Sequence, residues 1–180
     1  MSDLFSSDAD AAQGPVPLAE RLRPKTVDEV IGQAQLLAPD APLGAMLASG
    51  QLTSLIFWGP PGVGKTTLAR LLADHTDLFF EQISAIFSGV ADLKKCFEAA
   101  RLRHKNGRGT LLFVDEIHRF NRAQQDGFLP YIEDGSILLV GASTENPSFE
   151  LNAALLSRAQ VLVLTRLAAV SYTHLRAHET

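Results

Sequence analysis

The sequence has a single cysteine in 180 residues, Cys96. That excludes an internal disulfide and a cysteine-rich metal site, and leaves Cys96 as a small core residue. No run approaches the roughly 18 apolar residues of a membrane-spanning helix. The opening residues MSDLFSSDADAAQG have neither the basic nor the apolar region of an export signal, so no membrane partner and a cytoplasmic location are expected. Positive charge is not in excess. Sixteen Lys and Arg against twenty Asp and Glu give a net charge of −4, so no global field draws the chain to nucleic acid, and any DNA contact must come from a local patch. What remains is ordinary: 46% hydrophobic residues, enough for one domain with a real core.

The most informative stretch is SLIFWGPPGVGKTTLARLL, Ser54 to Leu72. An apolar run, Leu55 to Trp58, leads through a glycine-rich loop into helix formers with Leu68, Leu71 and Leu72 at apolar spacing. Strand, glycine loop and helix are the context in which G-x-x-x-x-G-K-[ST] is a phosphate-binding loop. Gly59, Gly62 and Gly64 have no Cβ, so backbone from Gly59 through Pro60, Pro61, Gly62, Val63 and Gly64 to Lys65, Thr66 and Thr67 can wrap a polyphosphate and aim its N–H groups inward. The following helix adds its positive dipole end. Lys65 brings a point charge toward the β- and γ-phosphates, and the Thr66 hydroxyl is a hard ligand for Mg²⁺. The expected ligands are ATP and Mg²⁺.

A second chemical element is TLLFVDE, Thr110 to Glu116. A continuous apolar run reads as a strand buried on both faces, and ligands in such parallel sheets gather at the carboxyl ends of strands. Asp115 and Glu116 fall at that end, beside the glycine loop in the inferred sheet. Asp115 can hold the Mg²⁺ hydration shell and Glu116 can orient and polarise the attacking water. Further candidate strands are Leu78–Ile83, Ile137–Gly141 and Val161–Leu164. They make a five-stranded parallel α/β sheet flanked by helices. After Ile137–Gly141, Pro147 is expected to end regular structure, leaving Thr144 or Asn146 to sense the γ-phosphate or hold the water. Arg158, just before the last strand, reads either as a surface charge or as a group reaching a neighbouring subunit's γ-phosphate.

Residues 1–17 are rich in Ser, Asp, Ala and Pro and read as a disordered arm. Thr26 and Glu29 suggest a capped short helix ending at Gly32. Gly89 to Lys105 reads as a helix with Val90, Leu93, Phe97 and Leu102 as its buried stripe. Arg101, Arg103, His104, Lys105 and Arg108 form one basic cluster, either a solvated helix end or a local DNA patch. Ile117 to Pro130 reads as a polar connection and a helix, and Leu151 to Ser157 as a short helix.

GPPGVGKTT, LLFVDEIHRFN, GASTENPSFELN and ALLSRA together resemble the AAA+ ATPases, and within them the family of replication-associated recombination and Werner helicase-interacting proteins. The likeness runs over 18–167. It implies a P-loop NTPase (AAA+) core in which Arg23, Ile31 and Gly32 lie near the adenine, Asp115 and Glu116 form the Walker B pair, Thr144 or Asn146 falls at the first sensor, and Arg158 at the arginine finger acting in trans. It further implies a homo-oligomeric, DNA-stimulated ATPase of the nucleoid. Such a protein acts at stalled forks and at single-stranded or duplex ends, with the single-stranded DNA-binding protein and recombination factors. Asp3-Leu4-Phe5 is similar to the end of sliding-clamp-binding peptides, although their leading glutamine is missing.

The family continues past Leu167 into a helical lid with a second sensor arginine. Here AAVSYTHLRAHET follows instead, without apolar periodicity. Residues 168–180 are therefore expected to be non-native sequence and the lid to be missing. Its His174 and His178 are too few for a metal site. Two other functions share these motifs: a clamp-loader or Holliday-junction branch-migration ATPase subunit, and a module that nucleotide orders without being turned over.

Overall fold

The computed structural model describes residues 24–25 and 33–166. Five strands form one parallel sheet: β1 (Leu55–Trp58), β2 (Phe79–Ser84), β3 (Thr110–Asp115), β4 (Ile137–Ser143) and β5 (Gln160–Val163), in the order β2-β3-β4-β1-β5. Parallel strands need crossover connections, and helices supply most of them. α1 (Ala34–Leu37) and α2 (Pro42–Ser49) precede β1, and α3 (Lys65–Thr76) and α4 (Val90–Lys105) follow β1 and β2. A 3₁₀ turn (Ile117–Arg119), α5 (Arg122–Asp126) and α6 (Leu129–Glu133) separate β3 from β4, while α7 (Pro147–Glu150) and α8 (Ala153–Leu156) separate β4 from β5.

Period-two alternation sends successive strand residues to opposite faces. Leu55, Phe57, Leu111, Phe113, Val140 and Ala142 pack with Leu36, Leu43, Leu68 and Leu72 from α1, α2 and α3. Ile56, Leu112, Val114 and Leu139 pack on the other face with Leu93, Phe97, Phe128 and Leu155 from α4 to α8. The result is three layers, helix, sheet and helix. β3 is buried almost throughout, as its unbroken apolar run requires.

Three local expectations change. In α4 the buried stripe is Leu93, Cys96, Phe97 and Ala100, while Val90 and Leu102 are exposed. At 3.6 residues per turn, Leu102 lies half a turn round from Leu93. The single helix expected before Pro130 is two short ones. Asn121 and Gln124 cap α5 reciprocally, and Pro130 sits in the first turn of α6, where its missing N–H is no loss. Pro147 likewise begins α7 instead of ending regular structure.

Arg101 and Arg103 of the basic cluster are engaged within the fold, while His104 and Lys105 are exposed. Arg103 donates to Glu81 at 3.1 Å and to Thr110 at 2.9 Å and lies 3.8 Å over the Phe79 ring. Arg101 pairs with Asp134 at 3.0 Å and covers Tyr131. These contacts favour the helix-end reading of the cluster over a DNA patch.

Candidate functional site

The glycine loop joins the end of β1 to the start of α3. Gly59 is buried between two neighbouring strands: its N–H donates to the Ser143 carbonyl at 3.1 Å, and a Cβ there would lie 2.4 Å from the Leu164 oxygen. Its lack of a side chain is thus set by the approach of the chain leaving β5. Gly62 and Gly64 have φ of 79° and 95°, the left-handed region that glycine adopts without penalty. Their Cβ positions face open space. Pro61, Gly62 and Gly64 are exposed, with Pro60, Val63, Thr66 and Thr67 half-buried. Helix α3 starts without a side-chain cap, so its first N–H groups are left for a ligand.

Lys65 is buried, yet its Nζ has two backbone carbonyls as partners, Gly59 at 2.5 Å and Pro60 at 3.0 Å. Burial pushes its pKa below the ordinary lysine value, against the opposing pull of the Glu116 and Asp115 charges. A cation that is desolvated, folded back on its own loop and within the field of two carboxylates is suited to an anionic ligand.

Asp115 and Glu116 stand at the carboxyl end of β3, as expected, but β4 lies between β3 and β1. The acidic pair therefore does not adjoin the loop's strand directly, and the residue following β4 reaches into the gap. That residue is Thr144, whose hydroxyl donates to Glu116 Oε2 at 3.2 Å. Glu116 itself has φ of 53°, a left-handed conformation that costs a non-glycine residue on the order of 1–3 kcal/mol. Such strain is characteristic of functional positions.

The Asn146 side-chain oxygen accepts from Ser148 N at 3.0 Å as the cap of α7, a contact that does not use its amide N–H donors. Arg158 is on the surface after α8, held by Glu133 at 2.6 Å and by the Ala154 carbonyl at 2.9 Å. Arg23, Ile31 and Gly32 lie outside the described residues. Their neighbour Gln33 is buried and clamps the chain after β5, donating to the Thr165 carbonyl at 2.9 Å.

Sequence reasoning passed over His118, Ser143 and Glu133. His118 Nε2 lies 3.2 Å from Glu116 Oε2, and its Nδ1 is 3.0 Å from Ser143 Oγ. A histidine two residues beyond a strand-end glutamate was the available signal.

Among the described residues no group of three or more His, Cys, Asp or Glu could hold a metal alone. The donors present, Thr66 and Asp115, suit Mg²⁺, which is bound by one or two protein oxygens together with phosphate and water. The open cradle and the buried lysine fit a nucleotide phosphate chain. No helix among those residues is long and apolar enough to cross a membrane.

A parallel sheet with an uncapped glycine loop at one strand end and an acidic pair at another defines a P-loop nucleotide-binding core. The chain belongs to the AAA family, the ATPase family associated with various cellular activities, whose model matches residues 55–167. It is 55% identical over 151 residues to the replication-associated recombination protein A of Escherichia coli (strain K12), covering 84% of this chain and 34% of that protein. It is 48% identical to the ATPase WRNIP1 of Dictyostelium discoideum, covering 84% and 17%. The chain thus spans about a third of the length of the first relative. Among solved structures, the RuvB Holliday junction branch migration motor of Thermotoga maritima superposes with a TM-score of 0.69 at 32% identity, over 85% of this chain and 52% of that one.

Proposed function

We propose that this chain is the ATP-binding and ATP-hydrolysing core of a homo-oligomeric protein that acts on DNA at stalled replication forks and in recombination and repair. The observation that carries the ATPase reading is the convergence of Lys65, Asp115, Glu116 and Thr144 at the carboxyl edge of the sheet. Backbone N–H groups from Gly62 to Thr66 bind the phosphate oxygens, and Lys65 exchanges its two carbonyl partners for the β- and γ-phosphates. Thr66 and Asp115 would hold Mg²⁺, which would supply charge neutralisation on the phosphates. Glu116 orients the attacking water and accepts its proton. Thr144 is the first sensor in this reading, supported by the reach of its hydroxyl to Glu116, with Asn146, whose oxygen caps α7, as the alternative. Arg158 acts in trans, leaving Glu133 to meet the γ-phosphate of a neighbouring copy.

The DNA role rests on the likeness to replication-associated recombination protein A. With it come single-stranded DNA-binding protein, recombination factors and, through Asp3-Leu4-Phe5, a sliding clamp as partners, and a cytoplasmic, nucleoid-associated location. The superposition on the branch-migration motor favours a second reading, a junction-acting ATPase. ATP hydrolysis measured with gapped or single-stranded ends and with four-way junctions separates them. The preferred reading expects stimulation by ends and gaps, and stimulation by junctions alone would overturn it.

A further inference from the structure

His118 is the polar side chain near the site that the reading above leaves without a role. It stands on the 3₁₀ turn after β3, its side chain only 6% exposed. Both ring nitrogens have partners: Nε2 faces Glu116 Oε2 at 3.2 Å and Nδ1 faces Ser143 Oγ at 3.0 Å. Ser143 Oγ also lies 2.7 Å from the Glu145 carbonyl and accepts from Glu145 N at 3.1 Å. A serine hydroxyl has one proton. With that proton on the Glu145 carbonyl, Nδ1 donates to Ser143; with it turned toward the ring, Nδ1 accepts. In the second arrangement a neutral imidazole carries its one N–H on Nε2, facing a carboxylate oxygen that only accepts; in the first, Nε2 donates as well only from an imidazolium.

Glu116 Oε2 therefore has polar neighbours from two separate elements: it accepts from the Thr144 hydroxyl after β4, and His118 Nε2 after β3 stands 3.2 Å from it. The two are not equivalent. Thr144 is the group that an incoming phosphate would draw away, whereas His118 is buried and anchored through Ser143. When Thr144 leaves, His118 remains to aim the carboxylate.

We propose that His118, anchored by Ser143, is a positioning residue that holds the Glu116 carboxylate in the direction needed to orient water. The inference rests on the ATPase reading above. It makes His118 matter to turnover and not to nucleotide affinity, since it touches no group of the phosphate cradle.

The test uses the whole chain in two measurements. In single-turnover hydrolysis with protein in excess, His118→Leu lowers the rate on the order of a hundredfold, as a small misplacement of a reacting group does. Its affinity for ATP and Mg²⁺ stays within about twofold of the parent chain. His118→Gln keeps an N–H donor and recovers most of the rate, which a purely space-filling role would not allow. In parallel, the ring ¹⁵N–¹H correlations of His118 are recorded without nucleotide. A protonated Nε2 whose resonance moves in Glu116→Gln supports the inference. Loss of all hydrolysis in the parent chain would sink the ATPase reading while this ring signal still decided the contact. The inference is overturned if the Nε2 resonance ignores Glu116→Gln, if His118→Leu turns over like the parent, or if His118→Gln is no better than His118→Leu.

Discussion

Thr144 and Glu116, 28 residues apart in sequence, are joined by a hydrogen bond of 3.2 Å from the threonine hydroxyl to the carboxylate. The strand order makes this contact, because β4 runs between the acidic strand and the loop's strand. Thr144→Val removes the hydroxyl that, as first sensor, turns from Glu116 to the charged γ-phosphate during turnover, and a donor to a charged group is worth about 1.5 to 3 kcal/mol. Single-turnover hydrolysis should fall roughly ten- to a hundredfold, and Thr144→Ser should restore it. An unchanged rate in Thr144→Val would leave the threonine without a sensing role.

Arg158 separates stability from activity. Its pair with Glu133 is solvent-exposed, and such pairs contribute about 0.2 to 1 kcal/mol, so Arg158→Ala should barely move the unfolding midpoint. In samples concentrated enough to assemble, the same change should cost on the order of a thousandfold in turnover, the scale of an arginine finger. Equal loss of stability and activity, or robust turnover in Arg158→Ala at low concentration, would reduce Arg158 to a surface charge.

Gly59 tests whether the loop's first glycine answers to β5. A Cβ there would meet the Leu164 oxygen at 2.4 Å and its carbon at 3.2 Å, and backbone cannot step aside cheaply. Gly59→Ala should destabilise the nucleotide-free chain by about 3 kcal/mol, lowering the thermal midpoint by roughly 6 to 12 °C. A midpoint like the parent's would show that the segment after β5 is free to move.

Cys96 is buried against Glu81, with Sγ 3.3 Å from Oε1, and burial together with that hydrogen bond pushes the thiol up to about 12. At pH 8 roughly one thiol in ten thousand is then ionised, so an alkylating reagent should label the native chain very slowly and the unfolded chain readily. The folded-state value is raised, so this group's stabilising contribution is complete below its ordinary value of 9.0 and is lost as pH climbs toward about 12. Rapid labelling of native chain would contradict the burial.

The elements that sequence discloses here are those encoded locally. Leu55–Trp58 and Thr110–Val114 are apolar runs too short for helices, and the glycine loop and the Asp-Glu pair follow each directly. What sequence hides is pairing at a distance. Nothing near Thr110 says that β4 will stand beside β3 on the side toward β1, and nothing near Arg158 names Glu133 as its partner. His118 looked like one more polar residue in a connection until the turn after β3 brought it back onto Glu116. Val90 and Leu102 fitted a helical stripe by residue type, yet their exposure shows that hydrophobic type alone overstates the width of a buried face.

The central claim is that Lys65 and its loop grip the triphosphate while Glu116 directs its cleavage. The most direct test is Glu116→Gln, followed by equilibrium ATP–Mg²⁺ binding and single-turnover hydrolysis on the same preparations. The account predicts affinity within about twofold of the parent and a hydrolysis rate lower by on the order of a hundredfold or more. Hydrolysis by Glu116→Gln at the parent rate would contradict it.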